Sequence, residues 1–206
     1  MKKSFLSCVV LFAGIFAGSF ASAQTPTMSR LIRPGKSVAG VKLDSTLTDF
    51  MAVFPKHPNI DDGLYKSVCG GSYFQWVDLD LGASGVTAYL QNDRIYQISV
   101  QTPRFSLPNG VKMQTSEEQV KILYPSGRAY ILLGSGSDIV GGRDLVYWVD
   151  EKAGVAFEFY WNRQKRNRLV GSIDVFTPGT DYQPDGCISP PQRWQELKPS
   201  TRKPMS

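Results

Sequence analysis

Residues 40–55 read GVKLDSTLTDFMAVFP, and residues 110–125 read GVKMQTSEEQVKILYP. The two stretches share glycine, valine, lysine and proline at the same offsets. Leu43 corresponds to Met113 and Phe54 corresponds to Tyr124, so the apolar positions agree as well. Self-similarity of this kind at a fixed period indicates that the chain contains a duplicated unit.

The similarity continues downstream at a spacing near 70 residues. The triplet WVD at 76–78 recurs at 148–150, and the pair GV at 85–86 recurs at 154–155. The segment ISVQTP at 98–103 corresponds to IDVFTP at 173–178. Because the landmarks keep the same order in both halves, we interpret the chain as two tandem repeats.

Each repeat begins with a short predicted helix, because apolar residues lie at positions i, i+3 and i+4 before a proline. Ser45 or Asp44 is expected to cap the first helix. Thr115 and Glu118 have the spacing of a capping box for the second helix. The apolar faces are Phe50, Val53 and Phe54 before Pro55, and Val120, Leu123 and Tyr124 before Pro125.

Strands are predicted after each helix, since apolar and polar residues then alternate with a period of two. Short links between them favour antiparallel pairing. The fold class predicted is α+β, with two tandem helix-plus-antiparallel-sheet repeats of about 70 residues forming one extended or two adjacent sheets, with the helices on one face. The predicted strands are 73–79, 85–91 and 94–101 in the first repeat, and 144–149, 154–161 and 169–176 in the second.

The first 23 residues have the features of a signal peptide. Lys2 and Lys3 precede an apolar stretch, and Ala21-Ser22-Ala23 is a cleavage site of small residues. Cleavage after Ala23 predicts a periplasmic or secreted protein without a membrane span. The predicted organisation is a signal peptide at 1–23, an N-terminal arm at 24–37, repeat 1 at 38–107, repeat 2 at 108–178, and a Pro-rich, partly disordered C-terminal tail at 179–206.

The composition narrows the possible partners. The chain has 206 residues, of which 42% are hydrophobic and 20% are charged, which excludes a disordered, collagenous or coiled-coil protein. The formal net charge is +5, and it falls to +3 when Lys2 and Lys3 leave with the signal peptide. Nucleic-acid binders usually carry a denser basic stripe, so no nucleic-acid partner is expected. The basic cluster RQKRNR at 163–168 is interpreted as a solvated hairpin tip.

Two cysteines, Cys69 and Cys187, remain after signal cleavage. In an exported chain a pair of cysteines suggests one disulfide, which would connect the C-terminal tail to the first repeat. A reactive or metal-binding thiol is the alternative, although the chain has neither a CxxC motif nor more than one histidine.

The period-two alternation assigns one face of the sheet to the core beneath the helices, including Trp161. The opposite face is polar with scattered aromatic residues. It is either a solvated surface or a binding surface, since aromatic residues are enriched at protein interfaces. The candidate binding residues on this face are Tyr89, Gln97, Ser99, Gln101, Glu158, Tyr160, Asp174 and Phe176.

No catalytic residue, metal ligand or cofactor site is predicted. His57 is the one histidine, and its KHP context indicates a surface loop rather than a catalytic base. The glycine-rich segment 132–144 lacks the GK[ST] ending of a phosphate-binding loop. The carboxylate pairs Asp78/Asp80 and Asp150/Glu151, and the turn Asp61-Asp62-Gly63, are interpreted as solvated turn residues.

The pattern G-[IV]-x-[LM]-x-[ST]-x-x-x-[DEQ]-[VF]-x-x-x-[FY]-P at Gly40–Pro55 and Gly110–Pro125 resembles the tandem modules of the beta-lactamase inhibitor protein family. Related small bacterial envelope proteins, including outer-membrane-assembly lipoproteins, share this module. The resemblance covers roughly residues 38–178 and implies a long concave sheet that clasps an enzyme. No inhibitory loop motif is present, so no functional residue is carried over, and the lipoprotein cysteine at the cleavage site is missing.

These observations predict a secreted or periplasmic non-catalytic protein-binding module whose partner is another protein in the envelope or outside the cell. An inhibitor or an immunity-type protein is one specific form of this prediction. An alternative is an envelope-structural protein that binds peptidoglycan or another glycan, or assists outer-membrane assembly. A hydrolase that uses carboxylates alone is a third hypothesis.

Overall fold

The computed structural model describes residues 29–55, 64–66, 71–78, 81, 85–133, 145–186 and 194–197. Several sequence-based predictions lie outside these residues. They are the signal peptide, the Cys69–Cys187 disulfide, the His57 loop, the turn at 61–63, Asp80, and most of the glycine-rich segment.

The dominant feature of the described chain is a nine-stranded sheet in which every neighbouring pair is antiparallel. A separate three-stranded sheet comprises β1 (Ile32–Arg33), β2 (Ser37–Val38) and β3 (Val41–Lys42). The strands of the large sheet are β4 (Leu64–Lys66), β5 (Ser72–Val77), β6 (Gly85–Gln91), β7 (Arg94–Val100), β8 (Arg128–Leu132), β9 (Leu145–Asp150), β10 (Val155–Asn162), β11 (Asn167–Phe176) and β12 (Trp194–Glu196), in the order β12-β8-β9-β10-β11-β7-β6-β5-β4.

The sheet consists of two meanders that meet edge to edge. Strands β4 to β7 follow one another in space as they do in sequence, and so do β8 to β11. The meanders meet where β7 pairs with β11, with Ser99 opposite Asp174. One continuous hydrogen-bonded ladder therefore joins the two halves of the chain.

Two short helices lie in the described chain, α1 (Leu47–Val53) and α2 (Glu117–Leu123). Thr46 caps α1 in a capping box: its Oγ1 accepts from the Asp49 amide at 3.3 Å, and the Asp49 carboxylate accepts from the Thr46 amide at 2.9 Å. The backbone hydrogen bond from Thr46 lowers the pKa of Asp49 below its usual value. Ser116 caps α2 through the Gln119 amide.

Both caps lie one residue later than the sequence predicts. At each preceding turn, the chain is still bridged to a neighbouring strand. The Ser45 carbonyl accepts from the Ile95 amide at 2.9 Å, and the Thr115 carbonyl accepts from the Val170 amide at 2.9 Å. Because the backbone of Ser45 and Thr115 is hydrogen-bonded to strands of the large sheet, each helix is capped by the next residue.

The predicted α+β class, with helix-plus-sheet repeats and helices on one face, is wrong, because the described chain is mainly β. Each helix has seven residues and is about 10 Å long, whereas the eight-residue strand β10 is about 26 Å long. Within the helices, burial is complete only at Phe50 and Val120, and Ile122 is 76% exposed. The apolar spacing therefore correctly predicted a short helix with a buried residue in each repeat, but these helices are too short to form a layer over the sheet.

The described residues form two hydrophobic clusters, one on each face of the large sheet. The larger cluster lies on the face that the alternation assigned to the core. Phe50 packs against Phe54 at 4.7 Å and against Phe74 at 5.8 Å between ring centroids, and Tyr124 packs against Phe157 at 5.0 Å. The fully buried strand residues of this face are Val86, Ala88, Ile98, Val100, Val155, Phe157, Val170, Ile173 and Val175.

The predicted N-terminal arm is part of the fold over its described residues. Ile32 is fully buried, and its amide donates to the Ser106 carbonyl at 2.9 Å. Gly35 adopts a φ of +64° and donates to the Gly154 carbonyl at 3.0 Å, and a side chain at Gly35 would contact Pro178 and Ala153. Neither described helix has the length and hydrophobicity needed to cross a membrane.

Candidate functional site

The eight predicted binding residues share one face of the sheet, but most of that face is covered. Gln97, Ser99, Asp174 and Phe176 are each less than 5% exposed, so the expected solvent-facing surface is wrong for these four. Tyr89 and Glu158 are half-buried, while Gln101 and Tyr160 are exposed. Burial occurs because a later part of the chain crosses this face.

The covering part is residues 177–186, here called the C-terminal strap. The Tyr182 hydroxyl donates to the Asp174 carboxylate at 2.6 Å, and the Tyr96 hydroxyl donates to the Gly186 carbonyl at 2.5 Å. Burial beneath the strap raises the pKa of Tyr96 to about 12. The first part of the tail predicted to be partly disordered is therefore packed against the sheet at residues 182–186, and residues 194–196 form β12.

Polar groups on the covered face bind one another. The hydroxyl oxygens of Ser99 and Ser172 are 2.9 Å apart, and the Ser172 hydroxyl donates to Asp174 at 3.3 Å. Gln97 lies between Tyr89 on β6 and Phe176 on β11, and neither polar atom of its amide has a hydrogen-bond partner in the described structure. This network holds the strap onto the sheet, so we assign it a structural role.

An aromatic cluster closes the strap side of the sheet. Trp194 on β12 stacks on Tyr130 at 4.8 Å with parallel rings, and Tyr182 lies 5.7 Å from Trp194. A pocket of about 210 Å³ is lined by Tyr130, Tyr182, Trp194, Glu151 and Asp181. Burial, and secondarily the Glu151 charge, raise the pKa of Tyr130.

The exposed binding candidate Tyr160 lies at the far end of β10, beside Trp161. The alternation assigned Trp161 to the core, but this side chain is 55% exposed. It projects from the core side of β10, beside the first turn of α2. An apolar hollow of about 390 Å³ adjoins it, lined by Ile131, Leu145, Val146, Phe159, Tyr160, Trp161 and Arg168.

A second, polar hollow of about 220 Å³ also includes Trp161. Its lining is Ser116, Glu117, Glu118, Trp161, Arg166, Asn167 and Arg168. Trp161 and Arg168 contribute to both hollows, so the two form one surface. We call the lining of these two hollows, together with the β10–β11 turn at 163–166, the Trp161 surface.

The Trp161 surface carries an excess of positive charge. The turn at 163–166 holds exposed Arg163, Lys165 and Arg166, and the Asn162 side chain accepts from the Lys165 amide at 2.8 Å. In the described structure none of these three cations makes an ion pair. By contrast, Glu117 contacts both Lys121 at 2.6 Å and Arg168 at 3.5 Å.

Sequence reasoning missed this surface because it judged Trp161 by alternation alone. The useful signal was length: a hairpin with strands of eight and ten residues extends past a helix of seven. Residues at the hairpin end therefore lie beside the first turn of α2, where Glu117 contacts Arg168. The predicted hairpin tip at 163–168 is confirmed for residues 163–166, which are exposed, whereas Asn167 and Arg168 are half-buried and belong to β11.

The carboxylates considered for acid–base chemistry have structural partners. Asp78 accepts from Thr102 at 3.1 Å and forms an ion pair with Arg104. Asp150 accepts from Ser126 at 2.6 Å and from the Ala153 amide at 3.0 Å. Among the described residues, three or more His, Cys, Asp or Glu side chains do not come together in a way that could hold a metal ion.

Comparison with known proteins adds little to this description. No protein-family model matches the chain, and no curated protein is significantly similar to it. One solved structure is similar, that of the uncharacterized protein yfeY from Escherichia coli, with 15% sequence identity and a TM-score of 0.44. The similarity covers 72% of this chain and 99% of that one.

Proposed function

We propose that this protein is a non-catalytic binding protein of the periplasm or extracellular space, and that it binds another protein through the Trp161 surface. The observation that supports the proposal is the exposure of Trp161 between two hollows at the end of the β10–β11 hairpin. Tryptophan, tyrosine and arginine dominate the binding energy of protein interfaces, and all three occur here.

The geometry suits a preorganised binding site. β10 and β11 pair up to the last residue, with Trp161 opposite Arg168 and Asn162 opposite Asn167. A paired hairpin fixes the backbone from which these side chains extend, which lowers the backbone entropy lost on binding. An inhibitor or immunity role would be one form of this function, and it rests on the resemblance of the repeated pattern to the beta-lactamase inhibitor protein family.

A glycan-binding role is the second candidate, and the aromatic pocket favours it. Tyr130, Tyr182 and Trp194 combine apolar surface with polar tips beside the Glu151 and Asp181 carboxylates. Such a lining suits a ligand with both apolar and hydroxyl groups. Cosedimentation with purified peptidoglycan tests it: this role predicts a bound fraction that Trp194→Ala lowers and Trp161→Ala leaves unchanged.

The primary proposal is tested by site-specific photocrosslinking of the exported protein in cells. A photoreactive residue replaces exposed Tyr160, and the matched control carries it at Ile122, which is 76% exposed and lines neither hollow. We expect one stoichiometric partner captured from position 160 and not from position 122. With that partner purified, Trp161→Ala should weaken binding about 30-fold, the effect of a typical hot-spot residue. Equal capture at both positions would contradict the proposal.

A further inference from the structure

We infer that the partner presents an acidic segment with a large apolar side chain to the Trp161 surface. This inference rests on the proposed function and specifies the chemistry of the partner. It follows from the charge, the shape and the spacing of the groups around Trp161.

The charge of the surface is incompletely balanced. Its cations are Arg163, Lys165, Arg166 and Arg168, with Lys121 on the adjoining helix, and its anions are Glu117 and Glu118. Glu117 is already shared between Lys121 and Arg168. The exposed cations of the turn at 163, 165 and 166 thus form a positive group that would attract an approaching carboxylate.

The molecule itself shows how a carboxylate fits beside Trp161. The Glu117 carboxylate lies within 3.5 Å of the Arg168 guanidinium in the polar hollow that Trp161 borders. Arg166 lines the same hollow and has no such carboxylate partner among the described residues. Guanidinium groups bind carboxylates with well-defined geometry, so a partner Asp or Glu would reproduce this arrangement at Arg166.

The apolar hollow sets the second requirement. Its floor includes Val146 and Phe159, which are 7% and 3% exposed, and its wall includes exposed Trp161. Such a lining favours an aliphatic or aromatic side chain over a phosphate or a hydroxyl group. Phe159 and Arg163 are four residues apart on one hairpin, which is about 13 Å. An extended peptide of about four residues is therefore long enough to reach from the apolar hollow to the cations of the turn.

The test uses the partner captured by photocrosslinking, titrated against the mature protein at increasing salt concentration. Arg163→Gln/Lys165→Gln/Arg166→Gln removes three charges from the surface. Arg33→Gln/Lys36→Gln/Lys42→Gln is the matched control, since it removes three exposed charges from the small β1–β3 sheet. We expect the first triple variant to bind about tenfold more weakly and to show a shallower salt dependence, while the control binds like wild type.

Each result separates the two proposals. If Trp161→Ala weakens binding but the turn variant and added salt do not, the acidic partner is wrong and the proposed function stands. If neither variant changes binding, both are wrong. Vesicles of anionic and of zwitterionic lipid serve as a further probe. Saturable binding to anionic vesicles that the turn variant abolishes, with no protein captured in cells, would replace the protein partner with a lipid surface.

Discussion

Tyr182→Phe should loosen the C-terminal strap without disturbing the remainder of the sheet. Tyr182 is 4% exposed, and its hydroxyl donates to the buried Asp174 carboxylate at 2.6 Å. A hydrogen bond to a charged group contributes roughly 1.5–3 kcal/mol. The substitution keeps the ring, which packs on Phe176 and Trp194, so the loss should lie within that range. A chain of this size loses about 2–4 °C in Tm for each kcal/mol.

Urea denaturation measures the global effect, and hydrogen exchange shows where the structure opens. The Gly179 amide donates to the Glu151 carbonyl at 2.8 Å, so its exchange reports directly on the strap. Tyr147→Phe is the matched control, since Tyr147 belongs to the same cluster but its hydroxyl donates to half-buried Glu158 at 3.1 Å. We expect a smaller loss there than for Tyr182→Phe, because this hydrogen bond is longer and its acceptor is only half-buried, with no faster exchange in the strap.

A smaller loss of stability for Tyr182→Phe than for Tyr147→Phe, with unchanged Gly179 exchange, would contradict this prediction. That outcome would mean that ring packing alone holds the strap. Tyr182→Ala then distinguishes the contributions, because it removes the ring as well and should cost about 3–5 kcal/mol.

Three further predictions follow from the described contacts. Burial raises the pKa of Tyr96 to about 12, so the neutral phenol contributes stability below pH 10, and this contribution is lost as the pH rises towards 12. The free energy of unfolding, measured by urea titration, should therefore fall less steeply with pH in Tyr96→Phe than in the wild type. Gln114 has a φ of +67°, so Gln114→Gly should raise the free energy of unfolding by about 0.5–1 kcal/mol, and an unchanged or lower value would contradict the backbone assignment. A side chain at Gly127 would overlap the Trp148 indole, which donates to the Tyr124 carbonyl at 2.9 Å. Gly127→Ala should therefore cost about 1–3 kcal/mol and change the near-ultraviolet circular dichroism, whereas a wild-type Tm would exclude that overlap.

Local patterns in the sequence predicted the local structure well. Both helices end before a proline. Of the six apolar residues that the spacing selected, four are buried and Val53 is half-buried, whereas Leu123 is 44% exposed; the four buried ones are Phe50, Phe54, Val120 and Tyr124. The core face of the strands follows the period-two alternation except at Trp161 and at two register shifts, which bring Ile95 and Val170 onto the core face three residues before Ile98 and Ile173. These features depend on contacts within a few residues or on the pleat of a single strand, so the amino-acid sequence alone can predict them. The predicted share of helix in the fold was wrong, because the most regular motif in the sequence forms two short helices while most of the described chain forms strands.

The candidate site depended on contacts between distant residues. Alternation correctly grouped Gln97, Ser99 and Asp174 on one face, yet it contains no information about what covers that face. The strap covers it through pairs such as Tyr96 and Gly186, which are 90 residues apart. The sequence by itself determined the repeated motif, the caps to within one residue, and the apolar side of each strand. Only the tertiary structure decided that the polar face is closed and that the hairpin end at Trp161 is open, because burial is a property of the assembled surfaces and not of any one segment.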